Sequence, residues 1–152
     1  MKTYKKCLYN VGLKLTKTEY PMFQVTSSKD IYQFIKEYII PEAGDDIELF
    51  ETVHIVFLNS ANNTIGHNAF NVGSMRHSMI DVRRIAMSAL ISNASAIIML
   101  HNHPSGQMEF SDEDKSSTKH LKKSMELLGM HLLDSIVFSS TEYISFADEG
   151  EL

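Results

Sequence analysis

Hydrophobic and polar positions change period several times along this chain, and each change marks an element. Residues 8–16, LYNVGLKLT, alternate loosely and predict an N-terminal strand. Ile31, Phe34, Ile35 and Tyr38 then recur at the helical period behind Ser27 and Ser28, either of which can cap a helix running through about residue 40. Pro41 and Gly44 are expected to end it, and the acidic run from Glu42 to Asp46 reads as a solvated loop. From Glu51 to Leu58 the period is that of a strand. Val53, Ile55 and Phe57 share one face, with Thr52, His54, Val56 and Leu58 on the other. Both faces are largely apolar, as in a sheet covered on both sides. A turn at Asn59–Asn63 leads to a returning strand from Thr64 to Val72 that ends at Gly73. Ser78 to Ser92 then places Val82, Ile85, Ala86, Ala89 and Leu90 on one helical face. Ala96-Ile97-Ile98-Met99-Leu100 is an apolar run of strand length, and Ser111 opens a helix with Leu121, Met125 and Leu128 on one side, ending near Gly129. Strands at His131–Phe138 and Tyr143–Phe146 complete the pattern. Strands alternating with helices imply an α/β sheet sandwiched by helices.

Composition narrows the class. With 152 residues, 43% hydrophobic and 22% charged, the chain has the make-up of one globular domain. Its expected layout is a single domain over 1–152, with a strand and helix in 1–45 and the chemistry-bearing core in 46–152. Cys7 is the only cysteine, which rules out an internal disulfide and cysteine-based zinc sites and agrees with a reducing, cytoplasmic compartment. No apolar run of signal-peptide length follows Lys5-Lys6, and none approaches a membrane span. A net charge of −5 counts against strong nonspecific binding of nucleic acid by this chain alone.

The candidate chemistry lies between His101 and Asp114, in HNHPSGQMEFSDED. If extended geometry persists past Leu100, side chains two apart point to one side, so His101 and His103 can reach one ion together while Asn102 faces away. Asp114 falls in the first turn of the following helix. Two imidazoles, one carboxylate and a vacant fourth position describe a catalytic zinc site. Plainer readings exist for each part. A bare H-x-H is common, and Ser111-x-x-Asp114 before a helix is a capping box, a task that one carboxylate would not readily combine with ligation. Asn102 reads as a spacer or a hydrogen-bonding support, and His54, His67, His77, His120 and His131 as core or surface histidines. Lys115, Lys119 and Lys122, with Lys123 beside them, form a solvated helical face or a phosphate-contacting patch.

His101-x-His103, seven residues, then Ser111-x-x-Asp114 resembles the JAMM metallopeptidase motif, and the fuller HNHPSG resembles the RadC branch of that superfamily. Glu51-Thr-Val-His-Ile-Val-Phe-Leu-Asn59 is similar to the family's E-x-F-x-V-L-x-L-N strand, and Gly73-Ser74, Arg83, Leu133-Asp134 and Ser145-Phe146 also match. The likeness covers roughly residues 25 to 150. It implies a three-layer α-β-α sandwich with a mixed sheet, of cytidine-deaminase-like architecture. It also implies one Zn2+ per chain on His101, His103 and Asp114, with Glu51 as the proton carrier and Ser111 as a donor to the developing oxyanion. The implied reaction is hydrolysis of a peptide or isopeptide bond in a peptide or protein substrate. The chain departs from the family at Val82-Arg83-Arg84, where Pro-Arg-Glu is usual, and at Asp134-Ser135, where Asp-His is usual. Full-length RadC-like proteins also carry an N-terminal helix-hairpin-helix segment, for which there is no room here, so the chain is expected to be the JAMM domain almost alone. A competing reading is a DNA-repair or DNA-transaction module whose fold mainly binds a partner. Other zinc hydrolases do not fit: nucleobase deaminases call for H-x-E with P-C-x-x-C, and zincins for H-E-x-x-H.

Overall fold

The run Ala96–Leu100 lies in the middle strand of a five-stranded mixed sheet. The computed structural model describes residues 14–71 and 80–152. Its strands are β1 (Thr52–Leu58), β2 (Thr64–Asn71), β3 (Ala96–Asn102), β4 (His131–Phe138) and β5 (Tyr143–Ser145), in the order β2-β1-β3-β4-β5. β1 runs antiparallel to both β2 and β3, and β4 antiparallel to β5. β3 and β4 are parallel, a pairing that requires a crossover. The helix Asp112–Leu127 supplies it.

Both faces of the sheet are covered. On one side α1 (Ser28–Phe34) and the turns after it bury Ile31, Phe34, Ile35 and Ile39 against Val56, Leu58, Ile98, Leu100, Ile136 and Phe138. On the other, α3 (Val82–Ile91) and α4 (Asp112–Leu127) bury Ile85, Ala89, Leu121 and Met125 against Val53, Ile55, Phe57, Ile97 and Met99. β3 is therefore apolar on both sides because both are packed, and each fully buried Ile or Leu is worth about 1.5–3 kcal/mol. The outcome is the expected α/β three-layer arrangement.

Local details depart from the sequence pattern for identifiable reasons. Asp30 accepts the N–H groups of Thr26 (2.8 Å) and Ser27 (2.9 Å), which fixes the start of α1 where the serines suggested. Pro41 does not end this helix. A π-helical turn at Ile35–Ile39 widens the coil, with the Ile40 N–H reaching back to the Ile35 carbonyl, so the pyrrolidine ring fits within the short α2 (Ile40–Ala43). Gly44 terminates it at φ 56°. The acidic run is not a loop either: Gly44–Glu48 is a 3-10 turn, and Glu42 accepts the Tyr20 hydroxyl. Leu90 and Leu128, expected on packed faces, are 57% and 45% exposed. Leu128 lies just beyond the end of α4, where the coil has already turned away from the sheet. Thr118 takes the buried place on that helix, donating to Ser135 at 3.1 Å.

The expected strand over 8–16 falls mostly outside the described residues, and Lys14, Leu15 and Thr16 belong to no strand. Val72, the matched Gly73-Ser74 pair and His77 also lie outside them. Among the described residues no helix is long and apolar enough to cross a membrane.

Candidate metal centre

His101 belongs to β3 and His103 follows its last residue, Asn102, so both leave the sheet at the strand's C-terminal end, a common place for a site in α/β folds. The loop then turns through Gly106, at φ 74°, and Phe110 packs on Phe146 with ring centroids 3.8 Å apart. That contact brings the start of α4 back over the strand end. His101 Nε2 and His103 Nε2 come within 3.2 Å of each other, and the Asp114 carboxylate closes the group at 2.9 Å from His101 and 3.4 Å from His103. Among the described residues, these three form the group that could hold a metal ion.

The surroundings fix each donor. His103 Nδ1 bonds the Gln107 carbonyl oxygen at 2.8 Å. A carbonyl can only accept, so Nδ1 carries a hydrogen; the neutral ring then leaves the Nε2 lone pair to the cluster, and the protonated ring donates from Nε2 to Asp114. The hydrogen bond to Asp114 raises the His103 pKa against burial, which lowers it, with help from the Gln107 carbonyl and the charge of Glu51. Burial alone would raise Asp114, but hydrogen bonds from His101 and His103 hold its carboxyl well below the usual range. The carboxylate is thus ionised, as a ligand must be.

Ser111 and Asp114 do form the capping box: the Ser111 hydroxyl oxygen accepts the Asp114 N–H at 3.0 Å, and Asp114 Oδ2 accepts the Ser111 N–H at 2.8 Å. The cap does not turn the carboxylate away from the histidines. Oδ1 faces His101, and Oδ2 serves the cap while standing 3.4 Å from His103 Nε2, so capping and orientation toward the cluster are one arrangement. The Ser111 hydroxyl, accepting through its oxygen, keeps its hydrogen available to donate.

Glu51 immediately precedes β1. The antiparallel register sets Val53 opposite His101, and alternation puts residues 51 and 53 on the same side of the sheet as His101. Glu51 lines a small depression together with His101, Asp114, Met99, Ile80, Val53 and Ser117. The far-apart members of the sequence motif therefore meet around one cavity. Asn102 faces away, fully buried, as strand geometry required.

Other matched positions do different work. Asp134 accepts from Ser145 Oγ at 2.6 Å, Ser135 N at 2.7 Å and Ala147 N at 3.0 Å, tying the last strand to β4; burial raises its pKa. Arg83 is exposed on α3. His120 and His131 are exposed, while His54 and His67 form a buried to half-buried pair that spacing did not reveal. Lys115 pairs with Glu151 at 3.2 Å and Lys122 donates to the Leu152 carbonyl at 3.0 Å, so part of the lysine face is turned to the chain itself. The Gln107 anchor had no sequence signal, because every residue carries a carbonyl.

Comparison with known proteins agrees with the geometry. The family model described as RadC-like JAB domain matches residues 25–151. A protein of Thermotoga maritima named UPF0758 protein is 36% identical over 129 residues, covering 85% of this chain and 55% of that protein. Proteins of the same name from Chlorobaculum parvum and Flavobacterium johnsoniae are 33% and 35% identical, the latter over 84% of this chain and 53% of its own length. The chain spans about half the length of the curated relatives it matches.

Proposed function

The chain belongs to the RadC-like JAB domain family, and on that premise we propose that it is a zinc-dependent hydrolase of JAMM type acting on a peptide or isopeptide bond. The observation that carries the reading is the convergence of His101, His103 and an ionised Asp114, with Glu51 on the wall of the same cavity. Two imidazole nitrogens and a carboxylate oxygen are a donor set that suits a catalytic zinc, which keeps its fourth position open. When bound, the ion supplies Lewis-acid polarisation and makes water acidic enough to lose a proton near pH 7. Glu51 takes the proton of the attacking water and passes it to the leaving nitrogen as the C–N bond breaks. Ser111 donates its hydroxyl hydrogen to the carbonyl oxygen as charge gathers there, a contribution for which removal of one donor costs about a hundredfold or more in rate.

The first test is elemental analysis of freshly purified protein beside Asp114→Ala, prepared without chelator or metal-affinity chromatography. Near one zinc per chain, lost in the variant, is the expected result. Protein that is metal-free and refuses added zinc would overturn the reading. Glu51→Ala then separates the roles: zinc is retained while hydrolysis of peptide substrates is lost. A folded, metal-free Glu51→Ala protein would break that division.

A further inference from the structure

We propose that Asn102 is the positioning residue that sets Glu51 against the metal ligands, an inference that rests on the function proposed above. Asn102 stands between His101 and His103 in sequence, yet its side chain passes to the opposite face of the sheet and is 0% exposed. There Nδ2 donates to the carbonyl oxygens of Ile47 (2.7 Å) and Phe50 (2.8 Å), and Oδ1 accepts from the Thr52 N–H (2.7 Å) and the Thr52 hydroxyl (2.8 Å). Both amide hydrogens and both oxygen lone pairs are used. The partners at 50 and 52 bracket Glu51.

Packing does little to hold this stretch. Leu49 and Phe50 are 64% and 57% exposed, and their N–H groups turn back to the Asp46 carbonyl rather than to a strand. β1 begins only at Thr52. The carboxamide therefore ties the residues on either side of Glu51 to the strand that carries the histidines. No other side chain of this size offers two donors on one side and an acceptor on the other. An aspartate would set an oxygen against two carbonyl oxygens, and a glutamine is a methylene too long for a filled space.

The tie is braced from behind. Having given its hydrogen to Asn102 Oδ1, the Thr52 hydroxyl can only accept from His54 Nε2, at 3.1 Å. His54 Nδ1 must then accept from His67 Nε2, at 3.0 Å. Each proton in the series follows from the orientation of one amide, itself fixed by the two carbonyls it faces.

The test is an NMR titration of isotope-labelled protein with Zn2+, read at the ring nitrogens of His101 and His103 and at the Glu51 carboxyl carbon. In the parent protein all three respond. In Asn102→Ala the histidine signals still respond, with zinc affinity lowered no more than about tenfold, while the Glu51 response is lost. Asn102→Ser, which keeps a polar group in the space without burying a charge and is too short to span both contacts, carries the same test if the alanine variant does not fold. A Glu51 response unchanged in the variants would overturn the proposal, as would loss of zinc from the histidines along with it. Zinc that leaves the histidines or Glu51 of the parent protein unmoved would instead overturn the function proposed above, and this inference with it.

Discussion

Among the described residues two pairs of histidines lie within hydrogen-bonding distance, and His103 in one and His54 in the other respond to protons in opposite ways. His101 and His103 bring Nε2 atoms to 3.2 Å with the Asp114 carboxylate against both, and the His103 pKa is raised. His54 and His67 stack with centroids 5.2 Å apart and an Nδ1–Nε2 distance of 3.0 Å. Burial, and then the neighbouring His67, push His54 down to about 4. The imidazoles are the same and the separations similar, so burial on one side and the carboxylate on the other decide. The carboxylate beside His103 favours positive charge on that ring, whereas His54 and His67, buried against each other and, for His67, against Tyr20 and Phe34, are held toward the neutral form despite the charge of Glu42. Motif spacing distinguishes the pairs only because it brings that carboxylate along.

The comparison breaks most decisively at the metal. His103→Ala should lower zinc affinity by more than about a hundredfold, since even losing a partner behind a ligand costs 10–100-fold, whereas His54→Ala should leave it near the parent value. Competition with a chromophoric chelator measures both, and zinc lost equally from the two variants would erase the distinction.

Acid should sharpen it. The folded-state pKa of His54 lies below its ordinary value of 6.5, so between 6.5 and about 4 the unfolded chain takes a proton that the folded chain refuses. The contribution is therefore complete above pH 6.5 and is lost as the pH falls through that window, at a cost of about 2–3 kcal/mol. Denaturant midpoints between pH 7 and 4.5 should fall less steeply in His54→Gln. Equal slopes would mean that His54 is not held neutral by the fold.

The smallest expected effect tests how capping and the cluster share Asp114. Ser111→Ala removes the acceptor for the Asp114 N–H and should cost about 1 kcal/mol in thermal stability while zinc stoichiometry is kept. Zinc lost from a folded Ser111→Ala protein would show that the cap orients the carboxylate rather than merely sharing it.

How much was legible before folding follows from which interactions are local. Strand and helix periods along 51–58, 96–100 and 112–127 could be read directly, because a face that must be buried writes its period into the chain; the strand in fact continues to Asn102. His101, His103, Ser111 and Asp114 were legible for the same reason: they are close in sequence, and turn and cap chemistry fix their spacing. Glu51 was found only through a family likeness, since an acid at a strand start is ordinary by itself. The π-helical turn that accommodates Pro41, and the exposure of Leu90 and Leu128, depended on how the helices sit on the sheet.

By itself the sequence determined the α/β alternation and the donor set of His101, His103 and Asp114, because both rest on side chains near one another along the chain. Only the tertiary structure decided that Asp114 turns Oδ1 to His101 while Oδ2 both caps the helix and faces His103, that Asn102 grips both sides of Glu51 from the far face, and that His54 meets His67. Those contacts join residues on different elements or divide one group between partners, and a hydrogen bond has no address in the sequence until packing brings its two ends together.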